Sequence, residues 1–409
     1  MDDVVFFHAA AIRGFSGDAA GDSCANTVAV RGAQVVDAGP FDVLRRKHGT
    51  PREVKALPGM LLLPGFINAH AHLELTAIGP QPYGGDFSDW VMMLRNHWPG
   101  DGPVWDKQPD LAWFAEASAA GACAAFAAGV QAVGDIARFD ASAEARRGAG
   151  LEGVTFIELF GLGPPHDADA LERVTQRADG FQPHAPYSAG PVVYEAAAAT
   201  GLPLTTHLAE TLDEAQFVAQ ASGAFRELLE RVGKWLPGFA GAYQEDASPV
   251  AWMAPHLRRD RWLLAHCNYV NDADIALLSE THASVAYCPI ASDYFGHRDH
   301  RYRDMLAAGV NVCLGTDSVV CQPGDGDPTQ WLSLLPQMRH LYRRDGVDPA
   351  QLLEMATARG CAALNPQGDG GHAITRLVAI EIDAGLAIDP LVQVMRSDLP
   401  GRGVGAMSR

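Results

Sequence analysis

His70 and His72 stand two residues apart in the run Leu61–Leu75, LLLPGFINAHAHLEL. In an extended strand, residues i and i+2 share a face, so both imidazoles enter one space. Such a pair suits a divalent metal; alone, it reads as well as two loop histidines bonded to backbone. Further chemistry-bearing residues close other apolar runs: His184 in HAPYS, His207 and then Glu210 in LPLTTHLAE, His266 in WLLAHC and Asp317 in NVCLGTDS. Three imidazoles and one carboxylate, His70, His72, His207 and Asp317, make a ligand set for one Zn²⁺, with Fe²⁺ the other choice, and leave room for a water. A divalent ion lowers the pKa of that water towards neutrality, giving a hydroxide nucleophile.

The remaining residues then take roles around that water. Glu210 is expected just past a strand end, where its carboxyl shuttles a proton between water and substrate. The competing reading is a first-turn glutamate of a helix beginning near Thr211. His266 orients the water or polarises the electrophile, unless it is a satisfied core histidine. Asp317 doubles as ligand and proton acceptor, against the reading of a helix N-cap. His184 divides evenly between substrate contact and pocket lining. Glu74 supports a ligand histidine or anchors a loop.

These residues need strands that end at one rim. Short apolar runs alternate with Ala-rich helical stretches at 61–67, 131–137, 154–161, 181–187, 202–208, 262–268, 284–289 and 311–316. Eight β-α repeats predict a parallel (β/α)₈ TIM-like barrel, an α/β fold whose active site lies at the C-terminal strand ends. An open doubly wound sheet is the rival, but it usually carries a glycine-rich phosphate turn after its first strand, and no such turn is present. The barrel is expected over 58–365. Residues 1–57 and 366–409 hold short β runs, expected to pair into a small β-sandwich domain. The segment 79–108 is aromatic and Gly/Pro-rich and reads as a long binding loop or lid. In it, Phe87, Trp90 and Trp98 suit stacking on a heterocycle and Arg95 suits a carboxylate; lid packing is the competing reading. His297 and His300, in GHRDHR, reach the substrate on one reading and lie on a solvated loop on the other, the commoner case for such a run.

The 409 residues carry net charge -18 with only four lysines, Lys47, Lys55, Lys107 and Lys234. That surface repels phosphate backbones, so no nucleic-acid or anionic-membrane partner is expected. No basic leader or long apolar span is evident, and seven cysteines form no CxxC pair. The expected setting is a reducing cytoplasm. A homodimer is the assembly left open.

Taken in order, PGFINAHAHLE, HAPYS, THLAET, AHC and LGTDS resemble the amidohydrolase superfamily, in the branch holding chlorohydrolases and aminohydrolases such as S-adenosylhomocysteine, methylthioadenosine and aminofutalosine deaminases. SPVAWM, HCNYV and YCPIASDYFGH are similar to its aminofutalosine-deaminase-like part. The resemblance implies a distorted barrel with a small sandwich from both chain ends. It implies metal ligands at His70, His72, His207 and Asp317, proton transfer and polarisation at Glu210 and His266, and a substrate contact at His184. Relatives with two metals bridge them with a modified lysine from an early barrel strand. No lysine falls in a candidate strand here, so one metal is expected. Ile290 stands where relatives often carry a basic residue, and SVVCQPGDGD replaces their Ala-Ser-Asn. The expected reaction is hydrolytic deamination of an amino-substituted heterocycle, a purine or adenosine derivative. Dechlorination of a triazine and opening of a cyclic amide or imidazolone are alternatives on the same site, and a non-catalytic barrel scaffold is the alternative of another class.

Overall fold

A computed structural model describes residues 4–15, 25–102, 107–243, 246–365 and 374–405. Early in the chain, β1 (Val4–Ile12), β2 (Thr27–Arg31), β3 (Gln34–Gly39) and β4 (Glu53–Pro64) form four strands of one sheet. Eight strands follow: β5 (Phe66–Ala71), β6 (Val130–Ala137), β7 (Glu152–Leu159), β8 (Gly180–Pro183), β9 (Leu204–Leu208), β10 (Trp262–His266), β11 (Ser284–Tyr287) and β12 (Asn311–Leu314). Two more, β13 (Leu377–Glu381) and β14 (Arg402–Val404), return to the first sheet, whose order is β14-β13-β4-β1-β2-β3. Both chain ends therefore build one sheet.

The eight central strands pair in sequence order, all parallel. One parallel bridge, Ala71 to Asp317, joins the last strand's end to the first. The Thr316 and Asp317 amides both donate to the His70 carbonyl at 3.0 Å. This is a nearly closed (β/α)₈ barrel. A cluster drawing Ile67, Ala132, Ile136, Val154, Phe156, Leu263, Ala286 and Cys313 from six strands fills its interior. Strands buried on both faces read as continuous apolar runs, which is why periodicity located them.

Four expectations need correction. The run expected as barrel strand 61–67 is two strands. Leu61–Pro64 pairs with β1 and β13 in the other sheet, and the barrel begins only at Phe66. Gly65 makes the switch: a Cβ there would meet Gln131 Cβ at 2.8 Å and Arg376 Cβ at 3.1 Å, so only glycine lets the backbone pass. Residues 58–64 thus lie in the terminal sheet, while the Gly-rich 366–373 falls outside the described residues. The strand expected over 181–187 ends at Pro183, since proline stops the ladder. The segment 79–108 is not wholly loop: Phe87–His97 is a helix whose first turn is capped by Asp86, accepting from the Asp89 amide at 2.8 Å. Finally, His297 and His300 do not lie on a solvated loop. His300 is buried with Nε2 2.8 Å from the His266 carbonyl, and His297 Nδ1 lies 2.7 Å from the Tyr269 hydroxyl.

Candidate active site

The strand ends bring five imidazoles together. Ring centroids lie 5.2 Å apart for His70–His72, 5.1 Å for His70–His207, 5.3 Å for His70–His266 and 4.8 Å for His184–His207. The β5–β6 ladder is interrupted between Asn68 and Ala71; such a bulge re-aims a side chain, here His70. Asp317 Oδ1 lies 3.8 Å from His70 Nε2 and 3.5 Å from His72 Nε2. Ligand atoms at 2.0–2.1 Å from one tetrahedral ion stand about 3.4 Å apart, so these spacings suit a shared ion. Ligand atoms of His70, His72 and His207 lie within 4.8 Å of one another, as do those of Glu210, His266 and Asp317. The two trios adjoin through the Asp317–His72 contact. They form one site in which Asp317 faces both.

The residues fit a metal on their own chemistry. His70 is fully buried, and neither ring nitrogen has a hydrogen-bond partner among the described residues. Leaving such groups unsatisfied costs free energy; coordination satisfies one. His207 Nδ1 lies 3.1 Å from the His184 carbonyl, which fixes the proton there and leaves Nε2 to coordinate. Burial lowers the pKa of His70, His72 and His266, with mutual repulsion adding to it, and burial brings His207 to about 4. All are neutral at pH 7, the form that binds metal.

Glu210 follows β9 closely. Ala209 turns the backbone at φ 51°, and Glu210 Oε1 comes to 3.6 Å from His266 Nε2. The helix Leu212–Gln220 is capped by Thr211, which accepts from the Glu214 amide. Glu214 is the glutamate committed to that turn; its carboxylate accepts from the Ala209 and Glu210 amides, each at 2.8 Å. Glu210 is thereby left to the site. Burial first, then Asp317 and Glu214, push its pKa well above the usual carboxylate range. Asn268 Nδ2 donates to the Glu210 carbonyl at 3.0 Å and Ser292 Oγ donates to Asn268 at 2.8 Å, tying three strand ends together. Of six non-glycine residues with positive φ among those described, four are here: Ala209, His266 (71°), Cys267 (53°) and Asp317 (58°). Backbone strain of this kind gathers where side chains are aimed for a purpose.

Asp317 caps no helix; Ser318 takes that position before a short turn at Val319–Cys321. The Cys321 thiol reaches Asp317 Oδ2 at 3.8 Å, leaving Oδ1 to the histidines. His184 Nδ1 is 2.6 Å from Ser188 Oγ, and its ring stacks on Phe160. Glu74 bonds no ligand histidine; it accepts from the Arg138 amide at 3.0 Å, as a loop anchor does.

The histidines open into a cavity of about 540 Å³. Trp90 and Arg95 both line it, together with Trp98, Phe87 and Phe225. Trp90 also donates to the Tyr294 hydroxyl at 3.0 Å, and the Arg95 guanidinium lies 4.7 Å over Trp98. Glu158, Arg138 and Arg173 line it too. Nothing in FIELFG or DIARFD distinguished Glu158 and Arg138 from ordinary strand-end residues, and Arg173 closes a short helix; only the barrel geometry gathers the three.

The amidohydrolase family profile matches residues 61–372. This chain belongs to the amidohydrolase family. Members are metal-dependent, in keeping with the His/Asp cluster. Among curated relatives, it is 27% identical to the 5-methylthioadenosine/S-adenosylhomocysteine deaminase of Symbiobacterium thermophilum, over 71% of this chain and 64% of that one. It is likewise 27% identical to the 5'-deoxyadenosine deaminase of Methanothrix thermoacetophila, over 63% and 58%. The chain thus spans less than two thirds of the length of either relative. Among solved structures, Helicobacter pylori aminofutalosine deaminase in complex with methylthio-coformycin superposes with TM-score 0.73 at 19% identity, covering 96% of this chain and 95% of that one. Triazine hydrolase from Arthrobacter aurescens gives 0.72 at 19%, covering 98% and 92%. These likenesses show the amidohydrolase fold, a barrel with a second sheet from both ends. No helix among the described residues is long and apolar enough to cross a membrane.

Proposed function

We propose that this amidohydrolase is a hydrolytic deaminase of an amino-substituted purine, an adenosine derivative, working with one Zn²⁺ held by His70, His72, His207 and Asp317. The observation carrying the reading is the buried Glu210, 3.6 Å from His266 and facing Asp317's side of the imidazole cluster. A proton-bearing carboxyl beside a water-activating centre is what hydrolysis at a heteroaromatic carbon needs. Relatives named as deaminases of adenosine compounds support the substrate class.

A divalent ion at this set supplies Lewis acidity and lowers the pKa of a water. The protein's residues do the rest. Glu210, protonated through its burial, gives its proton to the ring nitrogen beside the amino-bearing carbon as water adds there. The Asp317 carboxylate takes the proton from the attacking water, and the neutral His266 imidazole holds the water on one face of the ring. Glu210 then recovers a proton from the added hydroxyl and hands it to the amino group, which leaves as ammonia. His184, held by Ser188, lines the ring pocket.

The test is ammonia release from methylthioadenosine, S-adenosylhomocysteine and 5'-deoxyadenosine by metal-loaded protein. Glu210→Gln should keep the metal and lose about 10²–10⁴-fold in kcat. Wild type that releases no ammonia from any of them refutes deamination.

A further inference from the structure

Gln182 is a buried polar residue that the reaction above does not use. It stands on β8 opposite Glu158 of β7 in the parallel ladder. Paired positions of a ladder share one face of the sheet. Glu158 lines the cavity, so the Gln182 side chain enters the barrel as well. It is fully buried, and its Oε1 has no hydrogen-bond partner among the described residues. Its Nε2 lies 3.3 Å from His207 Nδ1 and 3.5 Å from His207 Nε2. The carboxamide therefore packs against one of the proposed ligand histidines. Buried amide oxygens are rarely left unpaired, and this one belongs to a group beside the imidazole cluster.

A carboxamide NH₂ can only donate. Of the two His207 nitrogens, Nδ1 carries the hydrogen given to the His184 carbonyl at 3.1 Å. Only the Nε2 lone pair is left to accept, and that is the lone pair a metal takes. With its NH₂ end towards His207, Gln182 thus competes with the ion. Once Nε2 is coordinated, that NH₂ faces a hydrogen at Nδ1 and no free lone pair at Nε2, while Oε1 stays unpaired. Both ends of the amide then lose. The two ends are close in size, so the group can turn over in place. Oε1 then accepts from the Nδ1 hydrogen, and one end is unpaired instead of two. A second acceptor is of use there, because the His184 carbonyl is also taken by the His207 backbone amide at 2.9 Å. An acceptor on the Nδ1 hydrogen fixes the ring and raises the basicity of Nε2.

We infer that Gln182 is a positioning residue of the metal centre: in the metal-loaded protein its carboxamide oxygen faces His207, shares the Nδ1 hydrogen with the His184 carbonyl and keeps Nε2 aimed at the ion. The inference rests on the ligand set proposed above. Gln182 acts through His207 and not on the substrate, so its effect falls on metal affinity and on the surroundings of the ion.

Two variants of similar volume separate the oxygen from the NH₂ group. Gln182→Glu keeps an acceptor oxygen in either protonation state, and Gln182→Met removes both amide ends. Zinc affinity is read by competition with a chromophoric chelator, and the Co²⁺-loaded proteins by their visible absorption; neither needs turnover. Gln182→Met should lose about 10–100-fold in zinc affinity and shift the cobalt bands, and Gln182→Glu should restore most of both. Zinc affinity of Gln182→Met equal to wild type's overturns the inference. Tighter binding does so too, since that is what an NH₂ group competing for Nε2 predicts. Gln182→Glu binding as weakly as Gln182→Met also overturns it. A crystal structure of zinc-loaded wild type needs no variant to fold. In it the carboxamide should lie within hydrogen-bond distance of His207 Nδ1, and a side chain swung away from His207 overturns the inference. His70→Leu is the control for the ligand set. If it binds zinc as wild type does, the ligand set itself falls. If it loses zinc while Gln182→Met does not, the ligand set stands and only the role of Gln182 falls.

Discussion

His70 offers the sharpest test of whether this cluster is built around a metal. Both of its ring nitrogens are buried and unpartnered among the described residues. Each such group costs about 1–3 kcal/mol in a folded state that lacks its partner. Replacing His70 with Leu, of similar volume, removes both penalties at a packing cost of about 1 kcal/mol. The metal-free His70→Leu protein should therefore be more stable than metal-free wild type by about 1–5 kcal/mol. For 409 residues the unfolding entropy is about 0.9 kcal/mol per kelvin, so Tm should rise by about 1–6 °C. Zinc at 1,000 times its Kd adds about 4 kcal/mol to wild type, or about 5 °C. The same zinc should add little to His70→Leu. Calorimetric scans of both proteins, after chelation and after reloading, read all four values. The reasoning fails if metal-free His70→Leu melts below metal-free wild type and zinc leaves wild type's Tm unchanged.

Glu158 sets a pH dependence of stability. Burial pushes its pKa up from 4.5 to about 7, against the pull of Arg138, Arg95 and Arg173. The folded chain holds this proton longer than the unfolded chain, so the contribution is fully present below about pH 4.5 and is lost as pH rises through 7, by up to about 3 kcal/mol. Urea midpoints of Glu158→Gln should be flatter than wild type's between pH 5 and 8, and parallel profiles would refute the assignment. Gly134→Ala should destabilise by about 3 kcal/mol, because the new Cβ would stand 2.2 Å from the Ala69 carbonyl oxygen. A Tm within 1 °C of wild type, against about 3–4 °C expected, would show that β5 gives way freely.

The strand ends were legible because a parallel barrel buries each strand on both faces and places its chemistry at one rim. His70, His72, His207, Glu210, His266 and Asp317 could thus be gathered from separated apolar runs before any coordinates. The sheet crossing at Gly65 was not legible. Pro64-Gly65 interrupts an apolar run that stays buried in both sheets, so hydrophobicity does not change where the architecture does. The helix Phe87–His97 was masked by the Gly/Pro-rich residues flanking it, although Asp86, three residues before Asp89, is a cap signal in hindsight. His297 and His300 sit among Arg and Asp in sequence, and charge concealed the buried ring of His300. Arg138 and Glu158 follow strands like many others; their meaning lies in a cavity shared by residues distant along the chain.

The strained backbone explains why the cluster needs so much around it. Ala209, His266, Cys267 and Asp317 each hold a conformation that L residues avoid, at about 1 kcal/mol or more apiece. Each is opposed by hydrogen bonds from outside its own strand. Glu214 holds the Ala209 and Glu210 amides, and the Cys267 amide donates to the Leu208 carbonyl at 2.9 Å. His300 binds the His266 carbonyl, and the His70 carbonyl takes the Asp317 amide. For Cys267 and Asp317 the partner is the neighbouring strand end, for Ala209 it is the helix that follows, and for His266 it is the loop before the next helix, so no strand end relaxes alone. A side chain two or three residues past a strand end, such as Glu210, can then be as firmly aimed as one within it. That coupling also accounts for why spacing within one strand, His-x-His alone, said so little, while the same pair set against three other strand ends defines a site.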